Sequence, residues 1–146
     1  MSKIEDFLSK KDEQAIVDAI RDAEKNTSGE IRIHIEKTSN NKDVFDRAMA
    51  VFHELKMDNT KLQNGVLIYV AVEDKTFVIY GDKGINDLVP DNFWDSTKDL
   101  MLSHFKTGHF KEGLIAGILK AGEQLQTFFP WQNDDIDELS NEISKG

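Results

Sequence analysis

The sequence predicts a single α/β domain in which helices cover both faces of a small mixed β-sheet. Helical and strand-like segments alternate along the first half of the chain, which is typical of a sheet with parallel strands. Residues 65–72 are apolar at almost every position, as expected for a strand that is covered on both faces. The chain has 146 residues, 39% of them hydrophobic, which is enough for one domain with a sizeable core.

Composition excludes several kinds of function. With 27 acidic and 18 basic residues the net charge is −9, which repels nucleic acid and anionic membranes. The chain has no cysteine, so disulfides, thiolate metal sites and cysteine nucleophiles are excluded. Its start lacks the apolar stretch of a signal peptide, and no apolar run approaches the ~20 residues that span a bilayer. We therefore expect a cytoplasmic protein that binds neither nucleic acid nor membrane.

The first half of the chain predicts a helix, a strand and a second helix. Ser9 and Asp12 form a capping box at the start of a helix over residues 10–26. Residues 30–36 alternate between apolar and polar side chains, which predicts a strand with one face partly in water, near the edge of the sheet. Apolar residues at helical spacing predict a second helix over 43–56.

The strands that follow determine the order of the sheet. Strand 65–72 should pair with an antiparallel strand over 76–80, since only a short turn separates them. Strands 30–36 and 65–72 flank a helix, so a right-handed crossover should make them parallel.

The last part of the domain predicts two more helices and a tail. Pro90 and Asp91 begin the third helix, with Asp91 as its N-cap. The fourth begins at Phe110 and ends before Pro130, and its glycines, Gly113 and Gly117, should allow close helix packing. We assign residues 1–130 to one domain and residues 131–146 to an acidic tail.

The segment 80–91 is the best candidate for a functional site. It follows a strand and contains Asp82, Asp87 and Asp91, together with two glycines that let the backbone bend tightly. Carboxylates clustered in one loop are typical of sites for Ca²⁺ or Mg²⁺. The loop is not an EF-hand, because Asp87 stands where that motif needs glycine. The alternative is structural: Asp91 is a cap, Asp87 forms a turn and Asp82 is solvated.

Two further polar residues belong to the same candidate site. Glu30 and Asn64 each stand at the start of a predicted strand. If those strands are parallel, both residues lie at the sheet edge where the antiparallel third strand ends, directly before Asp82. We therefore expect Glu30, Asn64 and Asp82 to converge. The alternative is that Asn64 belongs to a turn and Glu30 is an exposed charge.

Other chemistry has little support in the sequence. His104 and His109 are five residues apart, whereas zinc-binding pairs on a helix are four apart. No Gly-x-Ser-x-Gly elbow, P-loop or Rossmann fingerprint occurs. Hydrolysis of a phosphate ester would therefore require an aspartate or a metal-bound water, and Asp82 is the first candidate.

Four segments in register resemble the TPM domain family: residues 27–33, residues 64–68, residues 81–85 with Pro90, and residues 105–114. The resemblance covers roughly residues 10–130. It implies an α/β/α sandwich, a Ca²⁺ or Mg²⁺ site near the ends of the strands, and the acid phosphatase activity attributed to a plant member. Glu30, Asn64 and Asp82 match the family pattern, so the resemblance assigns them to the cation site.

Two functional hypotheses follow. In the first, the chain is a soluble TPM-like domain that binds Ca²⁺ or Mg²⁺, with Asp82 as central ligand and the other four residues named above near it, and that hydrolyses phosphate esters. In the second, it is a non-catalytic interaction module in which the cation is structural and the acidic tail contacts a basic protein partner.

Overall fold

A computed structural model describes residues 8–40, 43–60, 62–131 and 143–145. Within these ranges the elements are α1 Lys10–Glu24, β1 Glu30–Glu36, α2 Val44–Glu54, β2 Gly65–Ala71, β3 Thr76–Gly81, α3 Lys83–Asn86, α4 Asp95–Phe105, α5 Phe110–Phe128 and β4 Ser144–Lys145. The described strands form a mixed sheet in the order β3-β2-β1-β4. β1 is parallel to β2 and β4, and β2 is antiparallel to β3, so the predicted pairing is confirmed. None of the described helices is long and apolar enough to cross a membrane.

Helices cover both faces of the sheet, which confirms the predicted α/β/α sandwich. Alternate residues of each strand point to opposite faces, so one sheet has two apolar surfaces. On one face, α1, α4 and α5 pack against isoleucines of β1 such as Ile33. On the other, α2 packs against Leu67 and Tyr69 of β2 and Val78 of β3.

Side-chain caps begin α1 and α2 close to where the sequence predicts. The Ser9 hydroxyl accepts a hydrogen bond of 3.0 Å from the backbone of Asp12. Asp43 accepts bonds of 3.0 and 3.2 Å from the backbone of Phe45 and Asp46. Each cap satisfies N–H groups that have no partner within the helix.

The predicted start of the third long helix was wrong. α4 begins at Asp95 with Trp94 at the N-cap position, so Asp91 does not cap it. The residues before it form turns, and Phe93 and Trp94 are buried there with their rings in contact. Burial of these two aromatic side chains therefore takes precedence over the helix-starting signal of Pro90 and Asp91.

The expectation of a partly wet face on β1 holds only at Arg32, which is partly exposed. Glu30, His34 and Glu36 are each no more than 5% exposed. β1 lies between β2 and β4, because Ser144 and Lys145 of the predicted tail pair with it. The rest of that tail beyond Trp131, apart from Ile143, lies outside the described residues.

Two glycines of α5 let α4 approach closely, as predicted. A Cβ atom at Gly113 would lie 2.4 Å from a ring carbon of Phe105, and one at Gly117 would lie 2.5 Å from the sulfur of Met101. Both distances are shorter than any ordinary contact, so a side chain at either position would require Phe105 or Met101 to shift, or the helices to move apart.

Candidate cation site at one edge of the sheet

Strand register brings Glu30, Asn64 and Asp82 to the same sheet edge, as predicted. Glu30 is opposite Gly65, and its N–H donates to the carbonyl of Asn64 at 3.2 Å. From the other side, the N–H of Asp82 donates to the carbonyl of Gly65 at 2.9 Å. We call these three residues, Glu30, Asn64 and Asp82, the Asp82 edge.

The register of the sheet, continued by one residue beyond β3, places Glu30 and Asp82 on one face. Residues that are opposite each other on neighbouring strands point the same way, so Glu30 and Asp82 lie on either side of Gly65. Their Cα atoms are two strand spacings apart, which is roughly 10 Å. Gly65 adds no side chain between them.

The turn before β1 is fixed to the end of α5. The Thr27 hydroxyl donates to the carbonyl of Phe129 and accepts from the N–H of Gly29 at 3.0 Å. The N–H of Ser28 also donates to the Phe129 carbonyl, at 2.9 Å. The Asn64 amide in turn donates to the Ser28 hydroxyl at 3.4 Å, so the same anchor orients both Glu30 and Asn64.

The carboxylate of Asp82 is only half satisfied by the described residues. Asp82 is the N-cap of α3, and its Oδ1 accepts a hydrogen bond of 2.7 Å from the N–H of Lys83. Its Oδ2 is shielded from solvent and has no hydrogen-bond partner in the described parts of the chain. A shielded anionic oxygen without a partner is costly, and a bound cation is one way to compensate it.

Backbone carbonyl oxygens also lie beside α3. A Cβ atom at Gly84 would be 2.3 Å from the carbonyl oxygen of Leu62 and 2.5 Å from that of Gln63. Only glycine permits so close an approach, and it brings the loop before Asn64 against the first turn of α3. Carbonyl oxygens are common ligands of Ca²⁺.

The two remaining predicted ligands lie farther along the chain on the surface. Asp87 is the C-cap of α3 and Asp91 lies in the turns before α4, and both are exposed. Across the described ranges, no group of three or more His, Cys, Asp or Glu residues is placed to hold a metal ion. A cation at the Asp82 edge would therefore also need the Asn64 amide, carbonyl oxygens and water.

Sequence reasoning missed a second polar cluster at the other end of β1. The Glu36 carboxylate accepts a bidentate pair of hydrogen bonds from Arg47, Nε to Oε2 at 2.8 Å and Nη2 to Oε1 at 2.9 Å. The Tyr69 hydroxyl donates to Oε2, and His34 Nε2 lies 3.1 Å from Oε1. The Ser144 hydroxyl lies 2.9 Å from His34 Nδ1. We call His34, Glu36, Arg47 and Tyr69 the Glu36 cluster.

The electrostatics of the Glu36 cluster follow from burial and these hydrogen bonds. Burial opposes ionisation of Glu36, but bonds from Arg47, Tyr69 and His34 outweigh it and bring its pKa down to about 2. Burial lowers the pKa of His34, although Glu36 partly counteracts it. Burial and the bond to Glu36 raise the pKa of Tyr69. Glu36 is thus a charged group that the protein itself neutralises.

One signal in the sequence could have indicated this cluster. His34 and Glu36 are two residues apart in a strand, so they share a face. The parallel register then pairs His34 with Tyr69, and their rings are stacked with centroids 5.9 Å apart. Arg47 comes from α2, and no pattern in the sequence links it to β1.

Comparisons of sequence and of structure with known proteins agree with each other. A sequence model described as the TPM domain matches residues 2–124. The NMR structure of the BA42 protein from the psychrophilic bacterium Bizionia argentinensis is similar at 73% identity, covers 100% of both chains and has a TM-score of 0.93. A search of curated proteins found no match.

Two more distant structures share the fold. The N-terminal domain of a protein from P. gingivalis is 21% identical over 84% of this chain and 78% of its own, with a TM-score of 0.69. The N-terminal domain of the cg2496 protein from Corynebacterium glutamicum is 12% identical over 95% of this chain and 80% of its own, with a TM-score of 0.63.

Proposed function

The chain belongs to the TPM domain family, and on that premise we propose that it binds a divalent cation at the Asp82 edge. The observation that carries the proposal is the Oδ2 atom of Asp82, which is shielded and has no hydrogen-bond partner among the described residues. A carboxylate oxygen in that position destabilises the fold unless a positive charge or a donor reaches it.

The proposed ligands combine side chains and backbone. Asp82 supplies the central carboxylate, and Glu30 and Asn64 supply oxygens from the neighbouring strands. Asp87 and Asp91 are exposed farther along the chain and are left out of the proposed ligand set. The carbonyl oxygens beside Gly84 favour Ca²⁺, which accepts irregular sets of oxygen ligands, over Mg²⁺, which requires a near-ideal octahedron.

The affinity should be low. A dissociation constant on the order of 1 mM is typical of Ca²⁺ sites with few carboxylate ligands. Arg32, which lies two residues beyond Glu30 on the same face of β1, brings a competing positive charge. Such a site would respond to cation concentration and would not retain the ion permanently.

Hydrolysis of a phosphate ester, implied by the family resemblance, would depend on this cation. The chain has no cysteine and no serine elbow to act as nucleophile. A bound cation lowers the pKa of a coordinated water and neutralises charge on a phosphoryl group. Asp82 would act as a ligand, because its Oδ1 already caps α3.

Thermal unfolding with and without Ca²⁺ tests the proposal. A cation that binds only the folded state stabilises it, by about 1.4 kcal/mol at a tenfold excess over the dissociation constant. For a domain of this size we expect the melting temperature to rise by about 4 °C. The Asp82→Asn variant keeps the cap of α3, because asparagine is also a good N-cap, but it loses the charge.

The variant makes the test specific. Without cation, Asp82→Asn should be at least as stable as the wild type, because it no longer shields an uncompensated charge. With Ca²⁺, only the wild type should gain stability. Asp99→Asn removes one charge from the exposed surface of α4 and is the matched control. Equal stabilisation of the wild type and Asp82→Asn would refute the assignment.

The non-catalytic alternative is favoured by two leucines next to α3. Leu62 and Leu88 are 45% and 56% exposed, so both present apolar surface that a protein partner could cover. In this case the cation would order a surface that a protein partner contacts. Cation binding without any cation-dependent hydrolysis by the wild type would support this second function.

A further inference from the structure

A cavity of about 450 Å³ lies at the opposite end of the sheet from the Asp82 edge. Its walls come from the carboxyl end of β2, the start of β3, the end of α4 and the start of α5. That is the end of a parallel pair at which sheet proteins usually bind ligands. The volume falls within the usual range for small-molecule sites.

Aromatic side chains form the apolar part of this cavity. The rings of Phe77 and Phe105 meet edge to face at 5.3 Å, and those of Phe105 and Phe110 are stacked at 5.1 Å. All three are only half-buried, although each packs against the main core. Leu102, which also lines the cavity, is 40% exposed. These side chains thus leave an apolar surface open to solvent.

Two lysines in the lining, Lys75 and Lys106, give the cavity a positive charge. Neither forms an ion pair with any described residue, although the chain as a whole has nine more acidic than basic residues. The acidic residues nearest to Lys75 in sequence are engaged elsewhere. Glu73 pairs with Lys37 at 3.7 Å, and Asp74 accepts hydrogen bonds from Thr38 and Ser39.

We propose that this cavity binds an amphiphilic carboxylate, in which an apolar body lies on the phenylalanine rings and the carboxylate faces Lys75 and Lys106. An anionic head group complements the charge of the lysines. An apolar body that lies on the rings shields their exposed parts from water. A neutral or cationic amphiphile would match only the apolar half of the site. The cavity is independent of the cation site, because it lies at the other end of the strands and uses none of the same residues.

NMR titration of the full chain with sodium octanoate at low-millimolar concentration tests this inference. We expect saturable shifts of backbone amide signals in segments 70–77 and 102–110. Octanol, which has the same chain without the charge, should bind about tenfold more weakly, because it lacks the charge-assisted contacts. Absence of saturable shifts in these segments, or equal binding of octanol and octanoate, would overturn the proposal.

Charge-removing variants separate recognition from general hydrophobic contact. Replacing both lysines, Lys75→Gln with Lys106→Gln, should weaken octanoate binding about tenfold and leave octanol binding unchanged. The control is Lys98→Gln, which removes one positive charge from an exposed position on α4 outside the cavity. All three sites are exposed, so each variant should keep the wild-type melting temperature. Wild-type affinity for octanoate in the double variant would also refute the proposal.

Discussion

β1 carries a buried carboxylate at each end, Glu30 and Glu36, and their surroundings differ. In the Glu36 cluster both carboxylate oxygens accept hydrogen bonds, including a bidentate pair from Arg47. At the Asp82 edge, the Oδ2 of Asp82 has no hydrogen-bond partner within the described residues. The first arrangement satisfies both oxygens of its carboxylate, whereas one oxygen of Asp82 has no donor among the described residues.

The difference separates a structural ionic cluster from a candidate binding site. Both contain buried acidic groups, and burial alone would mark both as functional. A cluster whose groups satisfy one another has little to gain from a ligand. A carboxylate oxygen without a donor gains stability when a cation binds to it, so cation binding is proposed for the Asp82 edge and not for the Glu36 cluster.

The largest expected effect is the loss of the internal counter-charge of Glu36. Arg47→Met should lower the free energy of unfolding by about 3 kcal/mol, because it leaves a buried carboxylate without its cation. Urea unfolding measures the change, with Arg21→Met on the exposed surface of α1 as control. Replacing Glu36 as well, by glutamine, should restore part of the loss. Equal destabilisation by the Arg21 and Arg47 variants would mean that the cluster contributes nothing.

Acid should weaken the same cluster with a defined dependence on pH. The pKa of Glu36 falls from its ordinary value of 4.5 to about 2 on folding, so its stabilisation is complete above pH 4.5 and is lost as the pH falls towards 2. Over that interval the wild type should lose about 2 kcal/mol more than Glu36→Gln, because that variant has no carboxylate to protonate. Parallel stability curves for the two proteins would contradict this.

His34 also makes the protein less stable in acid, and its effect begins at a higher pH than that of Glu36. Burial lowers the pKa of His34 below its ordinary value of 6.5, so the unfolded chain binds the proton more tightly. Stability should therefore begin to decline as the pH falls below 6.5, and a His34→Gln variant should decline less.

The smallest expected effect is a change in the pKa of Tyr80, which lies two residues before Asp82. Burial, and then the charge of Asp82, raise the pKa of Tyr80. A cation bound to Asp82 should lower the pKa of Tyr80 by a few tenths and leave Tyr69 unchanged, since Tyr69 contacts Glu36. NMR titration of the tyrosine ring carbons with and without Ca²⁺ measures both residues. If Ca²⁺ changed the pKa of both tyrosines equally, or of neither, the proposal that the cation binds only at the Asp82 edge would be contradicted.

Local signals in the sequence predicted most of the fold. The apolar run of β2 and the cap at Ser9 depend on neighbouring residues, and they lie where predicted. The start of α4 did not follow its local signal, because the burial of Phe93 and Trp94 is a tertiary effect. The pairing of Ser144 with His34 is likewise a long-range contact, and a strand of two residues is too short to be predicted from sequence periodicity.

The placement of three predicted residues at one edge of the sheet followed from the sequence, but their contacts did not. Parallel pairing of β1 and β2 was enough to bring Glu30, Asn64 and Asp82 to one edge. Whether each oxygen of Asp82 has a partner depends on the path of the loop before Asn64 and on the close approach at Gly84. The Glu36 cluster needed Arg47 from a separate helix, and periodicity along one strand cannot supply that contact.

The close contact between α4 and α5 limits how this protein could be made more heat-resistant. Replacing glycine by alanine inside a helix normally adds up to about 1 kcal/mol, and it is a common first step in thermostabilisation. Gly113 and Gly117 are exceptions, because a methyl group there would collide with Phe105 and Met101. Alanine at these positions of α5 would have to be combined with smaller side chains at the facing positions of α4. Stabilising substitutions are therefore easier to find elsewhere on the surface.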